Sequence, residues 1–285
     1  MSSWLLAHEP AVRLGAFFTV FALMAAWELL AARRPLRLPK GRRWASNLGL
    51  VVLNTVVLRL LAPTAAVGLA LVAEERGIGL LQLFALPDWL KVVLAVAALD
   101  LAIYLQHVLF HAVPALWRLH MVHHADLDYD LTTGARFHPV EILLSMGIKL
   151  GVVLALGPPA IAVLIFEVLL NATAMFNHGN VSLPPRLDAA LRLVVVTPDM
   201  HRVHHSVIPS ETNRNFGFNL PWWDRLLGTY KAAPRAGHDA MIIGVEHLQQ
   251  PQLQGIPWMV ALPFRGAVGE YAFGRDPGSS GEGRG

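Results

Sequence analysis

The stretch HVLFHAVPALWRLHMVHH, residues 107–124, places five histidines at the end of a long apolar run. On a helix, residues four apart share a face, with Cβ atoms about 6 Å apart. His107 and His111 therefore project together. His120, His123 and His124 follow at i, i+3 and i+4, which again selects one helical face and aims three imidazoles toward one point. The same triplet, HRVHH, recurs at His201, His204 and His205. A lone HxxxH is more often a packed pair than a ligand set, but a pair and two identical triplets together point to metal. Eight imidazoles exceed what one four- to six-coordinate ion uses, so the spacing predicts two ions.

Working outward, the chain of 285 residues is 54% hydrophobic and only 15% charged, with a mean hydropathy of +0.47. Such a composition points to a membrane protein. There is no cysteine, which excludes disulfides, thiolate-ligated haem, cysteine-bound iron–sulfur clusters and zinc–thiolate sites. Any metal must be held by nitrogen or oxygen. The net charge of +3 comes from basic residues gathered beside an apolar segment, without the interleaved aromatics of a nucleic-acid surface, so no nucleic-acid partner is expected.

Apolar runs of about twenty residues suffice to cross a bilayer. They occur at 14–32, 48–72 and 89–111, and a longer run at 140–178 is interrupted at Gly157-Pro158-Pro159, the pattern of a helical hairpin. The first run lacks a basic start and a cleavage site and reads as a retained span. Between the first two runs lies RRPLRLPKGRR, residues 33–43, whose basic residues place that loop in the cytoplasm by the positive-inside rule. Alternation then puts 112–139 and everything after about 179 on the same side, so every histidine cluster reaches the cytoplasmic face. The expected class is all-α: a polytopic helical membrane protein with a cytoplasmic helical cap carrying the histidine-bound di-metal site. Its expected parts are N-terminal transmembrane helices (1–88), a catalytic region (89–232) and a C-terminal region (233–285) ending in a disordered tail rich in glycine and serine. Alanine- and arginine-rich usage suggests a bacterial inner membrane.

The three boxes, HxxxH, HxxHH and HxxHH, resemble those of the fatty acid hydroxylase and sterol desaturase superfamily of membrane di-iron enzymes. RFHPVE (136–141), NHGN (177–180), TPDMHRVHHS (197–206) and NFGFNLPWWDRLLGTY (215–230) resemble the segments that accompany the boxes in sterol-desaturase-type members. The resemblance covers roughly 90–232. It implies two iron ions, dioxygen as co-substrate, a membrane lipid substrate and electrons from an external cytoplasmic carrier protein; no Gly-rich dinucleotide fingerprint follows a strand here. It also implies further ligands at His178 and His138, because Ala174 stands where relatives of the fatty-acid-hydroxylase type carry another histidine. That gives ten metal-binding residues: His107, His111, His120, His123, His124, His138, His178, His201, His204 and His205.

The implied chemistry is O2-dependent hydroxylation or desaturation of an unactivated C–H bond. The alternative is a membrane metal-binding or transport protein without redox catalysis, for which ligands near mid-bilayer and inverted repeats would be expected. Glu141 and Asp199, ahead of Asp126, Asp128 and Asp130, are the acids expected to orient ligand rings, unless they serve helix termini instead. His8, His238 and His247 are expected to be solvated. Charges within spans predict two ion pairs, Arg59 with Asp100 and Lys149 with Glu167. Asp100, Tyr104, His107 and His111 share one helical stripe, either a tunnel wall or a polar seam between helices.

Overall fold

A computed structural model describes residues 2–62, 65–265 and 269–273. The tail expected at the C-terminus, residues 274–285, lies outside the described residues. The described chain is helical, and its only strand-like features are two isolated bridges, Ala32 with Val181 and Ser206 with Ile243. In order the helices are α1 (Ser2–Ala7), α2 (Glu9–Leu30), α3 (Lys40–Leu61), α4 (Ala65–Glu75), α5 (Asp88–Ala112), α6 (Pro114–His124), α7 (Pro139–Leu156) and α8 (Ala160–Asn177). Shorter helices α9 (Pro185–Leu191), α10 (Pro198–His204), α11 (Pro209–Thr212), α12 (Trp222–Leu226), α13 (Gly237–Ala240) and α14 (Ile256–Ala261) follow.

Five segments are long and apolar enough to cross a membrane: Glu9–Leu30, Lys40–Gln82, Asp88–Ala112, Pro139–Leu156 and Ala160–Asn177. At 1.5 Å per residue, the 25 residues of α5 extend about 37 Å. The run expected as one span at 48–72 falls on two helices, α3 and α4. Leucines and valines on the candidate spans, such as Leu23 and Leu30 on α2 and Val52 and Leu60 on α3, are exposed. That is the burial pattern of a surface whose solvent is hydrocarbon. The inward faces of α4, α5, α7 and α8 meet in one core, with Leu99, Val153, Val163 and Phe166 buried.

α7 and α8 form the hairpin, and its tip shows why Gly157 stands there. Gly157 caps α7 in the left-handed conformation (φ 58°), and a Cβ would lie 2.0 Å from the Ile78 carbonyl oxygen. Only glycine permits both the turn and the approach. Gln82 donates to the Gly157 carbonyl at 2.7 Å, fastening the α4–α5 connection to this end.

The opposite end carries the cap. Arg43, 1% exposed, donates to Asp126 through Nε at 2.8 Å and to Asp130 through Nη1 at 2.7 Å. Glu28, at the end of α2, accepts from the backbone N–H groups of Leu131 and Asn180, each at 2.8 Å. Arg34 donates to the Met241 carbonyl and Arg37 to Gln249. Much of the 33–43 basic cluster therefore holds the cap to the helices, beyond any role as a topology signal. Trp117 packs with Met121, Leu50, Met259 and Tyr271 in a second core between α6 and the C-terminal segment.

The Lys149–Glu167 pair forms at 2.7 Å, and Arg13 joins it at 3.1 Å. The Arg59–Asp100 pair does not form. Arg59 is exposed, while Asp100 accepts from Trp223 Nε1 at 2.8 Å and from the Leu220 N–H at 3.2 Å. Neutral N–H donors from the cap meet this carboxylate because segment 216–230 folds back along α5. Tyr104 hydrogen-bonds Thr229 at 2.8 Å on the same stripe. The stripe is thus a polar seam that pins the cap.

Candidate metal centre

α5 delivers His107 and His111 from its last two turns, α6 delivers the first triplet, and α10 with its C-cap delivers the second. Each arrives for a local reason. Pro114 stops α5 and opens α6 at its first position, and Pro198 opens α10 behind Thr197, whose side chain caps it. His178 caps the C-terminus of α8.

Nine histidines converge in two groups. His107, His111, His120, His124 and His204 form the first, and His123, His178, His201 and His205 form the second; within each, one ring nitrogen per residue lies within 4.8 Å of all the others. All nine are at most 3% exposed. The sequence triplets do not each serve one point, as their shared face suggested. His120 and His124 go to the first group and His123 to the second, while His201 and His205 go to the second and His204 to the first. Residues i and i+4 point along one line, and i+3, rotated some 60° from i, turns to the neighbouring point. Each triplet thereby ties the two groups together.

One expected ligand, His138, is not brought together with the other nine. It stands outside both groups, its Nδ1 accepting from the Val140 N–H at 3.2 Å as the N-cap of α7. Its Nε2 lies 3.2 Å from the Val260 carbonyl. A histidine ahead of Pro139 is well placed to cap a helix, and capping consumes the nitrogen a metal would need.

Four of the first group's rings are oriented through Nδ1: His107 by the Phe216 carbonyl (2.7 Å), His111 by Asn213 Oδ1 (3.0 Å), His120 by Glu141 Oε1 (2.6 Å) and His204 by the Arg214 carbonyl (2.8 Å). An acceptor at Nδ1 fixes the proton there and leaves the Nε2 lone pair for a metal. Those Nε2 atoms crowd together, His107 lying 3.0 Å from both His120 and His204. In the second group His178 is held by the Ala174 carbonyl at 2.8 Å, with its Nε2 3.2 Å from that of His123. Gly134 permits this approach, since a Cβ there would lie 2.6 Å from the Ala174 oxygen.

Of the acids singled out in sequence, Glu141 orients a ligand ring. Asp199 instead pairs with Arg202 and lies 3.8 Å from both Arg33 and His238. Asp126 and Asp130 bind Arg43, and Asp128 accepts from the Arg37 and Leu38 N–H groups. His238, expected to be solvated, is half-buried, and burial lowers it to about 4. Sequence reading missed Asn213 and the carbonyls of Arg214 and Phe216. The NFGFN motif was the available signal, and Asp224 holds it by accepting from the Phe216 and Gly217 N–H groups at 2.8 and 2.9 Å.

Burial lowers His120 and His178 to about 3. His123, His124, His201, His204 and His205 are also pushed well down, by burial first and by neighbouring imidazoles second. These rings are neutral at pH 7, the form a metal requires. His111 Nε2 and both ring nitrogens of His124 and His205 have no protein partner. A buried polar atom left unpaired costs about 1–3 kcal/mol, so an all-nitrogen set with open lone pairs facing one another fits two imidazole-bound ions.

With that geometry in place, comparison with known proteins is decisive for 92–229, which match the fatty acid hydroxylase family. This region belongs to the fatty acid hydroxylase superfamily. The ornithine lipid hydroxylase of Rhizobium tropici is 32% identical over 149 residues, 52% of this chain and 44% of that protein. Human alkylglycerol monooxygenase is 27% identical over 176 residues, 58% of this chain and 36% of that protein. Human cholesterol 25-hydroxylase is 29% identical over 136 residues, 47% of this chain and 48% of that protein. The chain thus spans less than half the length of each of these relatives. No solved structure matches it.

Proposed function

We propose that this chain is a membrane-bound di-iron oxygenase that inserts an oxygen atom into a C–H bond of a lipid, with the histidine site at the cytoplasmic face. The observation that carries the reading is the pair of buried all-histidine groups whose open nitrogens converge. All ten expected ligands except His138 contribute, and His107, His111, His120, His123, His124, His178, His201, His204 and His205 are assigned to hold the two ions. Bound iron would supply the reduction of dioxygen, with two electrons from an external carrier and two protons, leaving one oxygen atom on the lipid and the other in water. The relatives carry hydroxylase and monooxygenase names, which favours hydroxylation over desaturation.

The protein's own groups do the rest. Glu141, Asn213 and the 214–216 backbone hold ring tautomers, so no ligand must reorient when metal enters. Phe110, Phe137 and Phe218 wall a cavity of about 280 Å³ that opens among α2, α3, α5, α7 and α8 and ends on His107 and His120. These helices include candidate membrane spans, so an apolar substrate can arrive from the bilayer, and the apolar wall keeps bulk water from the reacting carbon. Storage or transport of metal would call for ligands that exchange with solvent, and nine buried imidazoles do not favour it.

The test is to incubate iron-loaded protein, a chemical reductant and membrane lipid extract under 18O2, then compare products with those of His204→Ala. Iron-dependent, singly 18O-labelled lipid from the wild type alone supports the reading. A product without 18O, or equal product from His204→Ala, removes it.

A further inference from the structure

The cavity that ends on His107 and His120 carries an unmet chemical demand. Asn54, 6% exposed, donates its amide N–H to the Phe137 carbonyl at 2.9 Å. A carbonyl only accepts, so the nitrogen must face it, and Asn54 Oδ1 is left without a protein partner. Gln106 Nε2 donates to Ser145 at 2.7 Å, leaving its Oε1 unpartnered. Glu141 Oε1 accepts from His120, and its Oε2 is unpartnered. All three residues line the cavity, and the open atoms of Asn54 and Gln106 are acceptors.

Among the described residues at the far end, the one acceptor without a hydrogen-bond partner, Glu167 Oε2, has the Arg13 guanidinium at 3.1 Å. Lys149 and Arg13 share Glu167, and Arg13 also binds Glu9 at 2.8 Å. Lys149 lies eight residues along α7 from Glu141, about 12 Å at 1.5 Å per residue.

Resting on the lipid-oxygenase reading above, we propose that the cavity takes an amphiphile whose polar end carries hydrogen-bond donors, as hydroxyl, amide N–H or ammonium. That end docks at Asn54 and Gln106 beside His107 and His120. The chain extends toward Lys149, and the oxidised C–H bond lies within a few bonds of the polar group. A bare hydrocarbon leaves the Asn54 and Gln106 oxygens unpaired, and a carboxylate or phosphate adds acceptors to acceptors.

The test uses the full-length iron-loaded protein in detergent and measures competition against tritiated hexadecane-1,2-diol. The competitors are 1,2-dimethoxyhexadecane, which keeps the oxygens and loses the donors, together with hexadecylammonium and palmitate. The diol, the ammonium or both should bind about tenfold or more tighter than the dimethoxy compound and palmitate. Their order tells hydroxyl from ammonium. Gln106→Met should shrink the preference, whereas Lys149→Met with Glu167→Met should leave it intact.

Dimethoxyhexadecane or palmitate binding as tightly as the better of the diol and the ammonium overturns the proposal. So does a preference that the double variant abolishes and Gln106→Met does not, since the polar end would then sit at the far end. If Gln106→Met fails to fold, the wild-type competitor series decides alone. Donor-selective binding without iron-dependent oxidation of any bound amphiphile would remove the oxygenase reading, and with it the place of the oxidised C–H bond, and leave the docking of the polar end standing.

Discussion

The two histidine groups differ in what holds them. In the first, four rings are fixed by acceptors at Nδ1, drawn from Asn213, Glu141 and two backbone carbonyls. In the second, His178 has such an acceptor, while Nδ1 of His123, His201 and His205 has none. Aromatic faces stand in their place. Phe137 stacks on His123 at 4.6 Å between centroids and 7° between planes, and Tyr129 lies 5.5 Å from His178 and 5.1 Å from His205. The first group also borders the cavity through His107 and His120, whereas no member of the second does. Under the proposed function the difference implies a division of labour: a pre-oriented group would face the substrate, and a group ordered more by its metal would stand behind it.

The largest effect should come from removing a ligand. His107→Ala in the first group and His205→Ala in the second should each abolish lipid oxidation, yet iron assays should show the His205 variant keeping the first ion. Loss of both ions from either variant would break the comparison.

Arg43→Met should affect both groups alike. It leaves Asp126 and Asp130 buried without their cation just beyond His123 and His124, a loss of about 3–5 kcal/mol. Chemical denaturation in detergent measures it.

Acid should also act on both. Unfolded histidine titrates near 6.5, whereas His120 of the first group and His178 of the second are held at about 3. Between these values the unfolded chain binds protons that the folded chain refuses, so metal-free protein loses stability as pH falls from 6.5 toward 3. The slope is about 1.4 kcal/mol per unit for each group, and it vanishes above 6.5. A flat stability profile from pH 6.5 to 4.5 would contradict this.

Two subtler variants separate the groups. Asn213→Leu removes the acceptor from His111 and should weaken iron at the first group on the order of 10- to 100-fold, seen as one ion lost early to a chelator. Phe137→Leu removes the ring that stacks closely on His123, at 4.6 Å, and more distantly on His120, at 6.2 Å, and should cost the second group the more, about 0.5–1.5 kcal/mol. Equal iron loss at both groups in either variant would show that the two are not independently held.

How far the sequence foretold this follows from the kind of signal involved. The apolar runs, the break at Gly157-Pro158-Pro159 and the histidine spacing are local patterns, and an all-helical chain with a buried histidine cluster could be read from them. What escaped depended on partners far away in sequence. Asp100 meets Trp223 and Leu220, so a depth match with Arg59 could not find its partner. Asp199 is adjacent to a box yet serves Arg202. The carbonyls of Arg214 and Phe216 orient two ligands through backbone atoms, which no residue identity announces. The division of each triplet between groups needs the relative placement of α5, α6, α8 and α10. His138 entered the ligand set through the resemblance of RFHPVE, and in the structure it caps α7 ahead of Pro139.

The central claim is two metal ions per chain held by nine histidines in two groups. Iron counted per chain in protein reconstituted anaerobically with ferrous iron, with Mössbauer spectra of the same sample, tests it most directly. The account predicts about two irons per chain in nitrogen-rich, magnetically coupled sites. One iron or none per chain, in protein that still oxidises lipid, would contradict it.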